Sequence, residues 1–105
     1  MGNKSPTAVN VYKSKYDVYI GRNSEFGDTT WGNPFGDPQM ELSQKLIKYE
    51  EYVRKTPHLW NSLDKLIGKR LGCHCKPKAC HGDILVKLVN EKFNIKEEDI
   101  WQKWT

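Results

Sequence analysis

Apolar and polar positions along this chain alternate with two different periods. "VNVY" (Val9 to Tyr12) and "DVYI" (Asp17 to Ile20) alternate with period two, the signature of short strands, and the "KSKY" between them makes a hairpin the simplest connection. From Gly21 to Pro38 the sequence "GRNSEFGDTTWGNPFGDP" carries four Gly and two Pro, which predicts a long irregular loop. The period then changes. Leu42, Leu46, Tyr49 and Val53 recur at helical spacing behind a capping Asp37 and Pro38, so a helix is expected up to Pro57. Thr56 and Pro57 repeat that start signal for a second helix carrying Leu59, Trp60, Leu63 and Ile67, which Gly68 ends. "KRLGCHC" returns to period two and predicts a third strand, with Leu71, Cys73 and Cys75 on one face and Gly72 and His74 on the other. Ile84, Leu85, Leu88 and Val89 form the stripe of a last helix from about Cys80 to Lys92, closed by Asn94.

The order strand, strand, helix, helix, strand, helix predicts an α/β fold, a small mixed sheet of about three strands covered by three to four helices. Residues 1–8 are small and polar and are expected to form a flexible tail, with 9–105 as a single domain. The helical stretch between the second and third strands is long enough for a parallel crossover. Both carboxyl ends would then share one edge of the sheet.

Charge narrows the partners only a little. Seventeen basic and thirteen acidic residues are interspersed, for a net charge of +4, which favours phosphate-bearing ligands over cationic ones without demanding nucleic acid. Four Trp, five Tyr and three Phe enrich the small core in rings. No apolar run is long enough to span a bilayer and "MGNKSPT" lacks the apolar stretch of a secretory signal, so no membrane partner and a cytoplasmic location are expected. Pro6 occupies the position where a myristoylation signal needs Ser or Thr.

The chemistry is concentrated in "LGCHCKPKACHGD", Leu71 to Asp83, which holds all three cysteines and two of the three histidines. Cysteines confined to one segment do not resemble a disulfide framework. Three readings stay open. Cys73, Cys75, Cys80 and His81 supply the three thiolates and one imidazole that zinc accepts, although C-x-C-x4-C-H departs from the usual two-knuckle spacing. Cys80 or Cys75 could instead be a nucleophile, activated at a helix start by His81 or Lys76, which makes Cys75, Cys80 and His81 the candidate catalytic residues. The plainest reading makes Cys73 a small buried hydrophobe and Cys80 and His81 packing and capping groups. In open sheets ligands bind beyond the carboxyl ends of strands, which would bring Gly21, Arg22, Trp31, Asn33 and Lys76 to the same edge. Arg22 would grip a carboxylate or phosphate, Asn33 would read a polar edge, and Trp31 would either anchor its loop or stack on a ring.

"VYIGRNS", "WGNPFG" and "GKRLGCHCKPKACHGDIL", in that order, resemble a phage and bacterial family known as domain of unknown function 4326. The resemblance covers roughly Val9 to Asn90 and implies a phage or bacterial source. It points to Gly21, Arg22, Trp31, Gly32, Asn33, Pro34, Phe35, Cys75, Pro77, Cys80 and His81 without supplying an activity. His74 departs from the aromatic residue common between the first two cysteines of that family.

These readings converge on a small-molecule pocket protein, open to being an enzyme, that takes a nucleotide-like or phosphate-bearing ligand at the sheet edge. A zinc-clipped structural or nucleic-acid-binding module is the first alternative. The second is a phage accessory protein that engages a host protein through Trp101 and Trp104.

Overall fold

The computed structural model describes residues 4–74, 76 and 79–95. Strands β1 (Thr7–Asn10), β2 (Val18–Tyr19) and β3 (Arg70–Cys73) form a three-stranded sheet in the order β1-β3-β2. Both pairings are parallel, Thr7 to Arg70 through Asn10 to Cys73 on one side and Val18 to Leu71 with Tyr19 to Gly72 on the other. The α/β class with three strands is therefore as the sequence predicts. The hairpin is not: β1 and β2 never pair, because β3 lies between them.

A glycine makes that arrangement fit. A parallel connection ordinarily takes a dozen or more residues, yet residues 11–17 alone link β1 to β2. A Cβ on Gly72 would stand 2.6 Å from Cγ of Tyr16 and 2.9 Å from Cγ1 of Val11, so the connecting loop lies directly on the bare backbone of β3. Asp17 then locks the start of β2 to β3. Its N–H donates to the Arg70 carbonyl at 2.9 Å, and its carboxylate accepts from the Arg70 N–H at 2.8 Å and from the guanidinium at 3.1 and 3.2 Å. Those bonds from Arg70 hold the Asp17 carboxyl down to about 2.

Helix α1 (Leu42–Lys55) starts a turn later than its proline signal suggests, because Asp37 spends its side chain on a local turn, accepting the Gln39 N–H at 2.9 Å. Tyr49 and Val53 of the expected stripe are buried, whereas Leu42 stays 49% exposed. The expected second helix is split into α2 (Pro57–Trp60) and a 3-10 turn at Leu63–Leu66, which bury Leu59, Leu63 and Leu66. Thr56 stands at the N-cap of α2 without a side-chain capping bond, because its hydroxyl donates back to the Tyr52 carbonyl at 2.5 Å. Gly68 turns the chain toward β3 with φ +69° and hydrogen-bonds to the Lys4 carbonyl at 2.8 Å. Asn90 similarly donates to Ser5 at 3.0 Å, and β1 begins at Thr7, within the stretch read as tail.

Helix α3 (His81–Lys92) packs on the sheet and carries the core, with Leu85, Leu88 and Val89 fully buried. Each such side chain is worth about 1.5–3 kcal/mol of burial. Gly82 permits the close approach, since a Cβ there would stand 2.9 Å from Ile20 Cδ1 and 3.1 Å from Ala8 Cβ. Asn94, at φ 54°, ends the helix as expected. Among the described residues no helix is long and apolar enough to cross a membrane. Cys75 and the Trp101–Trp104 edge lie outside the described residues.

Candidate functional site at the carboxyl edge of the sheet

Because both pairings with β3 are parallel, the strands deliver Asn10, Gly21, Arg22 and His74 to one edge, and α3 opens there with Cys80 and His81. Asn10 fastens this edge: its amide donates to the Lys76 carbonyl at 2.6 Å and its oxygen accepts the Tyr12 N–H at 2.8 Å.

Cys80 is the N-cap of α3, and Asp83 three residues on completes a capping box, accepting the Cys80 N–H at 3.1 Å. The helix start therefore meets its own capping needs. Lys76 is committed as well, with its ammonium 2.5 Å from Asp83. Partial burial works against the Lys76 charge, but the bond and charge of Asp83 outweigh it and raise the Lys76 pKa. Lys76 is thus an internal strut at the base of the site.

Cys73 and Cys80 meet in the core with their sulfurs 3.2 Å apart. The contact with Cys73 and then burial push the Cys80 thiol far above the usual range, so it holds its proton at neutral pH. That is the reverse of an activated nucleophile. His81 is 9% exposed, and its Nε2–H donates to the Ile20 carbonyl at 2.5 Å. Since a carbonyl only accepts, the neutral ring carries its proton on Nε2 and keeps a lone pair on Nδ1. Burial lowers the His81 pKa, with the Arg22 charge adding to it against the Ile20 bond. Among the described residues no group of three or more His, Cys, Asp or Glu side chains is gathered to hold a metal ion.

The loop before α1 closes the edge. Trp31 is buried, and its carbonyl accepts a 2.7 Å bond from Tyr49 of α1, whose ring stands edge-on to His81 at 5.0 Å. Burial, with smaller contributions from Tyr52 and Cys80, raises the Tyr49 pKa, so the phenol remains a donor. Asn33 shapes the loop by accepting the Phe35 N–H at 2.9 Å, which leaves its amide NH2 for other partners. Arg22 is exposed and runs along this loop. A Cβ on Gly32 would stand 2.8 Å from Arg22 Cγ, and one on Gly36 would stand 3.2 Å from Arg22 Cζ. The two glycines clear a track for the arginine, and no carboxylate among the described residues pairs with its guanidinium.

Gly21, Arg22, Cys80 and His81 lie at this edge, and Trp31 and Asn33 belong to the loop that Tyr49 and Arg22 hold beside it. Tyr49, Asn10 and Gly36 join them without having stood out. The Cys80-x-x-Asp83 spacing could have revealed the capping box. His74 lies on the opposite face, where its Nε2 is 2.7 Å from the Tyr19 hydroxyl. A separate groove of about 310 Å3 on the outer side of α1 is lined by Phe35, Lys48, Glu51, Tyr52, Lys55 and Thr56, and includes none of these edge residues.

Residues 5–91 match the family described as domain of unknown function (DUF4326). The chain belongs to this family. The uncharacterized 12.4 kDa protein in the nrdA-td intergenic region of enterobacteria phage T4 is 42% identical over 90 residues, covering 81% of this chain and 78% of that one. No solved structure matches the chain. Within this DUF4326 domain the matched segment includes the whole edge just described and all three strands.

Proposed function

We propose that this phage-type domain binds a phosphate-bearing or nucleotide-like small molecule at the carboxyl edge of its sheet, with Arg22 as the anion grip. The observation that carries this reading is the Arg22 track: the exposed side chain lies with its stem against Gly32 and its guanidinium against Gly36, unpaired with any carboxylate among the described residues. A guanidinium offers five donors in a fixed fork, suited to two-pronged capture of a phosphate. The Asn33 amide supplies a neutral donor on the same loop, and Trp31 and Tyr49 fix that loop to the core. Lys76 is not part of the grip, because Asp83 already neutralises it.

The test is a thermal-shift screen of nucleotides and phosphorylated metabolites, followed by calorimetry. A ligand present at a hundredfold over its Kd should raise Tm by on the order of 10 °C. Arg22→Ala should abolish that rise at unchanged basal Tm, and Gly36→Ala should weaken binding by displacing the guanidinium. Binding that survives Arg22→Ala overturns the assignment.

A second reading rests on the sulfurs of Cys73 and Cys80, 3.2 Å apart with His81 next in sequence, as part of a zinc clip. Elemental analysis of protein prepared without chelator should then find about one zinc per chain. A folded, zinc-free protein excludes it.

A further inference from the structure

The face of the sheet turned away from α3 carries a surface that the carboxyl-edge site does not use. Val9, Val11, Tyr19, Gly72 and His74 alternate onto it, and the crossover loop "YKSKY", Tyr12 to Tyr16, lies across it. Two rings of that loop bracket two lysines. Tyr16 sits down on Gly72, whereas Tyr12 stays 70% exposed. The Tyr12 ring is nevertheless held in place, edge-on to Phe26 at 5.7 Å and tilted against His74 at 5.4 Å. Phe26 in turn stacks on Tyr19 at 5.7 Å. The Tyr19 hydroxyl accepts the Asn23 N–H at 2.9 Å and shares a 2.7 Å hydrogen bond with His74 Nε2, which holds the histidine against Tyr12. An exposed ring braced by two others, both of them packed on Tyr19, loses little freedom when something stacks on it.

The charges beside the ring are unspent. Lys13 and Lys15 are exposed and pair with no acid among the described residues. Of the acids nearby, Asp17 is taken by Arg70 and Asp28 is bonded to Thr30, leaving Glu25. A braced ring flanked by cations on one loop calls for a ligand that alternates flat rings with negative charge. A duplex hides its rings, and a mononucleotide cannot engage Tyr12 and span lysines on both sides of Ser14.

We propose that this face binds single-stranded nucleic acid, with Tyr12 as the stacking platform and Lys13 and Lys15 as phosphate contacts. Fluorescence anisotropy with a labelled mixed-sequence 20-nucleotide DNA or RNA, at 50 and 200 mM salt, tests it on the full chain. Binding should be micromolar at low salt and weaker for the matched duplex. Tyr12→Ala should weaken it about tenfold while Tyr12→Phe retains it. Lys13→Gln with Lys15→Gln should reduce the salt slope by about 1.4. Arg22→Ala should leave it unchanged, which separates this surface from the edge site. No binding at low salt, equal affinity for duplex, a Tyr12→Ala effect below twofold, or loss of binding in Arg22→Ala would each overturn the proposal.

Discussion

Cys73 at the end of β3 and Cys80 at the cap of α3 hold their sulfurs 3.2 Å apart, so one buried contact joins the last strand to the helix that covers it. The contact keeps Cys80 a thiol, because its pKa is raised first by Cys73 and then by burial. Iodoacetamide at neutral pH should therefore label Cys80 at least tenfold more slowly in the native protein than in urea, followed by peptide mass spectrometry. The sign for stability follows. The unfolded thiol loses its proton near its ordinary pKa while the folded one does not, so stability should fall as pH rises above about 8.5. A native labelling rate equal to that in urea would contradict this environment.

His81 has the opposite sensitivity. Its pKa is lowered by burial, so on acidification the unfolded chain takes up a proton before the folded one. Unfolding midpoints in urea should decline as pH falls from 7 toward 5, and His81→Gln should flatten that decline. Asp17 does not confuse the window, because its lowered pKa makes itself felt only between 3.8 and about 2.

Removing the Tyr49 hydroxyl leaves the Trp31 carbonyl without its 2.7 Å donor. Tyr49→Phe should cost about 1–3 kcal/mol in chemical denaturation, the penalty of an unsatisfied buried acceptor. Amide exchange should accelerate in the Trp31 loop before it does in α3. A variant as stable as the parent would mean that water replaces the phenol.

Gly72→Ala places a methyl against Tyr16 and Val11. The crossover loop has no slack to move aside, so a loss of about 1–3 kcal/mol is expected. Tyr16→Ala combined with Gly72→Ala should be less destabilising than the sum of the single changes, a coupling that thermal melts of the four proteins would read. Additive losses would indicate that the loop does not rest on this glycine.

Local periodicity made α1, α3 and the two faces of β3 legible, since burial of Tyr49, Val53, Leu71, Cys73, Leu85 and Leu88 is a property of each segment alone. What it concealed was pairing. "VNVY" and "DVYI" look like the arms of a hairpin, and only the clearance above Gly72 reveals that a loop can cross β3 between them. Arg22 is legible because it follows a strand end, and Cys80 and His81 because they open a helix, whereas Asn33, in the middle of the loop before α1, carries no such positional signal. Tyr49 was not, because its hydroxyl is invisible to a pattern that counts it as apolar, and Lys76 looked like a ligand group because its partner Asp83 is fixed only by the turn between β3 and α3.

The central position of β3 also governs the order in which the chain can fold. Thr7 pairs with Arg70 and Val18 with Leu71, so each outer strand waits for a partner synthesised most of the chain later. A nascent chain that ends before Arg70 contains two strands and no sheet. Local helix formation in α1 can come early, but the first sheet contact must close a long loop, placing this small domain among the slower folders for its size.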